Sequence, residues 1–234
     1  MEYQKRTARV RRIILRAFCI GIILLSVGAV VIVYLVTEVP RHYHPLAPVV
    51  REEVHAYLTH YLVPGFYNNI KLDEPFEIIV LQQELNEIIV DENTLGWSWP
   101  VCLSGVSISA PQVVFLEDTI QMMATVDYAG FPVVMTVIAS PKLDGQGKLW
   151  ANIKSVKAGA INITPLARYI AGEVMADQLS LLEQEQWVRD VEGALLRNEP
   201  FDPVFPVYQS DRSIRLISVE VSAQKVVLGF APAK

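Results

Sequence analysis

Four histidines, His42, His44, His55 and His60, fall within nineteen residues, and neutral imidazole is the commonest transition-metal ligand. Their spacing argues against a shared metal. His55 and His60 are five apart and diverge on a helix, and no nearby cysteine completes a ligand set. Solvated histidines near a membrane surface are expected instead, with no metal and no cofactor. Gly145-Gln-Gly147 has no lysine in phosphate-loop register and follows no strand as G-x-G-x-x-G, so it reads as a hairpin turn. Ser104-Gly105 lacks the G-x-S-x-G frame of a nucleophile elbow, and no cluster of Ser, His and Asp suggests a triad. Asp91, Glu92, Glu117, Asp118, Glu183 and Glu185 sit where turns and helix surfaces are expected, and solvated charge is their default. No enzyme signature emerges.

What remains is apolar chemistry. Trp97 and Trp99, two residues apart in a loop, suit a ligand platform or a membrane-interface anchor, or else a plug at one end of the core. Met122, Met123 and Met135 fall in strand-like segments, as core filler or as lining of an adaptable apolar pocket.

The element that positions all of this is Ala17–Val36, twenty uncharged residues able to cross a ~30 Å hydrocarbon core as a helix. Lys5, Arg6, Arg9, Arg11, Arg12 and Arg16 precede it, opposed only by Glu2. The positive-inside rule then keeps residues 1–16 cytoplasmic and exports everything after 36. The run is longer than the ~7–15 residues of a signal-peptide core and ends in YLVTEVPRH, without a small-x-small site, so an uncleaved anchor is expected. Of the 20 Lys and Arg, six lie in the tail, leaving 14; of the 25 Asp and Glu, one does, leaving 24. The exported part is therefore near −10, which repels phosphate backbones and argues against nucleic-acid binding. Cys19 lies in the apolar run and Cys102 beyond it, so no disulfide can join them within one chain.

Residues 37–72 read as a proline-rich juxtamembrane linker and an amphipathic helix, Val49–Leu62, with Val50, Val54, Tyr57, Leu58 and Tyr61 on one face and Pro64-Gly65 as its stop. Residues 73–234 read as one α+β domain. Phe76–Leu81 is a strand and Gln82–Ile89 a short helix; Val106–Ala110, Gln112–Leu116, Thr119–Asp127, Phe131–Ala139 and Leu149–Val156 alternate as an antiparallel meander. Phe131–Ile138 is apolar on both faces, so both sides of the sheet should be covered. Thr164-Pro165 reads as N-cap and first turn of a long helix carrying Leu166, Ile170, Val174, Leu181 and Leu182 inward, followed by a second amphipathic stretch, Trp187–Leu196. Asn198–Pro206 reads as a linker, and Ile214–Val221 with Lys225–Phe230 as a C-terminal hairpin.

The anchor followed by FEIIVLQQELNEII, PQVVFLEDTI and SPKLDGQGKL…VKAG resembles the YpmS-like family of bacterial single-pass proteins, over about Phe76 to Ile170. The resemblance implies an extracytoplasmic domain similar in layout to tubular lipid-binding proteins, a curved antiparallel sheet wrapped on a long helix, and it carries over no catalytic residue. The resulting expectation is a cell-membrane module, not an enzyme, holding a membrane lipid or other apolar ligand. Met122, Phe131, Val133, Met135, Val137 and Leu149 would line it, with Trp97 and Trp99 at a mouth. The alternative is an interaction subunit with a filled core, docking an envelope or membrane protein.

Overall fold

The computed structural model describes residues 2–96, 98–103, 105–169, 190, 193–195, 197–207 and 212–233. It begins with α1 (Glu2–Val36), whose stretch Phe18–Val36 is a helix of nineteen residues long and apolar enough to cross a membrane. Among the described residues most of this stretch is unshielded; Phe18, Leu25 and Val30 are all largely exposed. The chain beyond α1 is α+β. The named strand pairs are antiparallel.

The expected helix at Val49–Leu62 is displaced. Val49 instead bridges Asp91 in extended form, and Val50, Val54 and Tyr61 are exposed. Helical backbone runs from residue 56 through α2 (Val63–Leu72), straight across Pro64-Gly65. A π-turn over Leu58–Leu62, with the Val63 N–H donating to the Leu58 carbonyl, widens the helix just before Pro64. A proline ring clashes with the carbonyl four residues back in regular α geometry, and the wider turn relieves that conflict. Ile70 and Phe66 on α2 then enter the core of the first sheet.

That sheet is ordered β1 (Phe76–Leu81), β13 (Lys225–Ala233), β12 (Ser213–Ser222), β11 (Val204–Pro206). The expected C-terminal hairpin is therefore its centre, with the first strand of the domain paired to the last, Phe76 opposite Phe230. Phe66, Phe76 and Phe230 meet ring to ring at 5.6–6.2 Å, within the range where aromatic pairs add to simple burial. The proline-rich stretch read as a linker supplies β11 as an edge strand, a place where proline costs no ladder bond.

The second sheet runs β10 (Ile161–Asn162), β9 (Ile153–Ala158), β6 (Phe131–Ala139), β5 (Thr119–Tyr128), β3 (Val106–Ile108), β2 (Val101–Leu103), with β4 (Gln112–Leu116) also paired to β5. The two sheets meet where Val113 and Phe115 pack on Val221 and Val226, under α3 (Gln82–Val90). The helix expected from Thr164 begins one step earlier. Asn162 Oδ1 accepts from the Thr164 backbone N–H at 3.0 Å and from its hydroxyl at 2.6 Å, and Ile163 accepts the first helical bond from Ala167. Residues 164–169 are helical; most of the expected long helix, including Ile170, Val174, Leu181 and Leu182, lies outside the described residues.

The end of α1 is docked on the second sheet. Leu35 O accepts from the Ala160 N–H at 2.8 Å. Gly159, with φ +55°, lies so close that a Cβ there would stand 2.3 Å from Val36 O. Only glycine satisfies both conditions.

Candidate functional site

Strand pairing decides which candidates share a face. Met122 lies directly opposite Val137, Ala124 opposite Met135, Val126 opposite Val133, and Tyr128 opposite Phe131. Directly opposed residues project to the same side of a sheet. Five of the expected ligand-lining residues, Met122, Phe131, Val133, Met135 and Val137, thus form one apolar strip on the second sheet. The opposite side carries Val114, Met123 and Val134, packed with Tyr43. Met123 is fully buried, whereas neighbouring Met122 is 46% exposed and Phe131 75% exposed. Val133, Met135 and Val137 are half-buried. At one end the strip is closed by α3 over Val113 and Phe115; at the other it opens at the Tyr128–Phe131 turn.

Leu149 does not belong to this strip. The period-two pattern of 149–156 is broken at Asn152, whose φ of +47° turns the chain. Leu149 ends up in a two-stranded hairpin, β7 (Lys142–Leu143) with β8 (Leu149–Trp150), and packs against the core of the first sheet. Trp99 is half-buried, and its Nε1–H donates to Ile89 O at 2.8 Å, which fixes the ring over the end of α3. Trp97 lies outside the described residues.

The histidines separate. His42, His44 and His60 are exposed. His55, expected to be solvated, is buried, because it reaches two carboxylates on α3 that its local sequence could not reveal. Its Nε2 lies 3.2 Å from Glu87 Oε2 and 3.9 Å from Glu84 Oε2, a set able to hold a metal ion. Two contacts point instead to a tether. His55 Nδ1 accepts from the Tyr57 N–H at 3.3 Å, so Nε2 carries the ring proton and donates it to Glu87. Arg51 Nη2 occupies the same Glu87 oxygen at 2.9 Å. Hydrogen bonds from Gln83, His55 and Arg51 hold the Glu87 carboxyl down at about 2.

Asp91, expected to be solvated, is wholly buried. It caps α4 (Glu92–Leu95), accepting from Asn93 N at 3.2 Å and the Thr94 hydroxyl at 2.6 Å. Burial pushes its pKa up, but these hydrogen bonds and Arg51 win and hold it below the usual carboxylate range. His55, Glu87, Arg51 and Asp91 together fasten residues 49–57 to α3.

No model of a known protein family, no curated protein and no solved structure matches the chain.

Proposed function

We propose that the chain is a membrane-anchored, non-enzymatic module whose second sheet receives an apolar, lipid-like ligand along the Met122–Val137 strip, and that it belongs with the YpmS-like single-pass proteins. The observation that carries this reading is the asymmetry of the sheet. One side packs Val114 and Met123 beneath Tyr43, while the other presents an open strip of aliphatic, methionine and aromatic side chains. An acyl chain gains ~0.8 kcal/mol per buried CH₂, so a strip without charged groups suffices for useful binding. Phe18–Val36 supports the anchor, and the basic residues 5–16 support a cytoplasmic N-terminus with an extracytoplasmic domain.

Docking of an envelope or membrane protein on the same strip is the second reading. Tyr128 and Phe131 favour it, since exposed aromatics at a strand turn resemble interface anchors. Native mass spectrometry of the full chain released from nanodiscs decides between them. Retained lipid that Met135→Asp abolishes supports ligand binding; a lipid-free wild type leaves the docking reading.

A further inference from the structure

A second niche lies on the other side of the same sheet, against the end of α1. Its floor is two cross-strand pairs, Gln121 opposite Ile138 and Thr136 opposite Lys157. Glu38 and Pro40, just past the end of α1, form one wall, and the Gly159–Ala160 turn forms the other. The volume is about 270 Å³, under the ~300–1,000 Å³ of sites that enclose a whole drug-sized ligand. Thr136 is 4% exposed, and its hydroxyl has no hydrogen-bond partner. An unpaired buried hydroxyl is costly, and an acceptor placed in the niche removes that cost.

The charges specify the occupant further. Lys157 offers an ammonium and Glu38 a carboxylate, and among the described residues neither side chain has an ion-pair partner. A cation and an anion around one small polar niche fit a ligand that carries both signs. The net charge of residues 37–234, near −10, disfavours a ligand that is only anionic. The hydrogen bond from Ala160 to Leu35 fixes the niche at the level where α1 leaves the apolar stretch, the depth of lipid head groups.

We infer that this niche binds the zwitterionic phosphoethanolamine head group of a membrane lipid, its phosphate on Lys157 and Thr136 and its ammonium, whose N–H donors a trimethylated head group lacks, hydrogen-bonded to Glu38. This rests on the reading of α1 as a membrane anchor, and not on occupancy of the apolar strip.

The full chain is reconstituted into nanodiscs of equal phosphatidylethanolamine, phosphatidylcholine and phosphatidylglycerol, and retained lipids are read by native mass spectrometry. Phosphatidylethanolamine is expected to be enriched about tenfold over the other two, a difference of ~1.4 kcal/mol. Thr136→Val is isosteric and removes an unpaired hydroxyl, so it should fold and melt no lower than wild type while losing the enrichment. Lys157→Gln should lose it too. Equal retention of the three lipids, or enrichment that survives both substitutions, overturns the inference. Soluble glycerophosphoethanolamine that binds the detergent-solubilised chain as tightly as the lipid would overturn the membrane source. Alkaline extraction separates the two failures: a chain released from membranes refutes the anchor, whereas a retained chain without lipid preference refutes only the niche.

Discussion

Gly159→Ala probes the joint between α1 and the domain. At φ +55° a non-glycine residue costs ~1–2 kcal/mol in backbone strain. Its Cβ would also stand 2.3 Å from Val36 O and 2.4 Å from Leu35 O, both main-chain atoms that no rotamer change can move. Restoring ordinary contact near 3.4 Å requires α1 to withdraw by about 1 Å. That movement stretches the 2.8 Å bond from Ala160 N to Leu35 O past hydrogen-bonding range, a further loss of ~0.5–1.5 kcal/mol. Together these weaken the docked state by ~1.5–3.5 kcal/mol, or roughly 10- to 400-fold in its equilibrium. Hydrogen exchange of the full chain in micelles reads this directly: the Ala160 amide should lose protection by at least ~10-fold while the amides of β5 keep theirs. Unchanged protection at Ala160 would refute a docked helix end.

Tyr43→Phe removes a hydroxyl that meets Thr125 at 2.8 Å and Ser109 at 3.3 Å, and should lower stability by ~1–2 kcal/mol in denaturant titration; no change would mean that these two hydroxyl contacts add nothing to the fold. Met123→Ala, at a fully buried site between the sheet and Tyr43, should cost ~2–5 kcal/mol, whereas Met122→Ala on the open strip should cost well under half of that. Glu87 carries a folded pKa depressed from 4.5 to about 2, so its stabilisation is complete above pH 4.5 and lost as pH falls through about 2. Glu87→Gln should flatten the acid limb of the stability curve between those values, and an unaltered limb would remove Glu87 from the tether.

Local signals in the sequence specify most of the second sheet. Alternation across Thr119–Asp127, the Ala129-Gly130 turn and the apolar run from Phe131 place β5 and β6 in register, and both turn residues do take positive φ. That register is what groups Met122 with Val133, Met135 and Val137. The features that are not legible depend on distant partners. Pairing of Phe76 with Phe230 joins segments over 150 residues apart, and nothing in either strand names the other. His55 looks solvated because Glu84 and Glu87 reach it only after α3 forms, and Asp91 looks solvated because its cap partners and Arg51 close over it. Leu149 is misassigned by its alternation, since a positive φ at Asn152 leaves the polar/apolar pattern unchanged. Pro64 reads as a stop because a π-turn has no compositional signature.

Lipid contact along the open strip can be trapped covalently. A photo-reactive benzoylphenylalanine at Val137, irradiated in intact cells expressing the full chain, tests it most directly, with Glu220 on the first sheet as the exposed control position. Acyl-lipid adducts are expected at 137 and none at 220. Adducts at 137 made only of protein, or lipid adducts in equal yield at both positions, would contradict it.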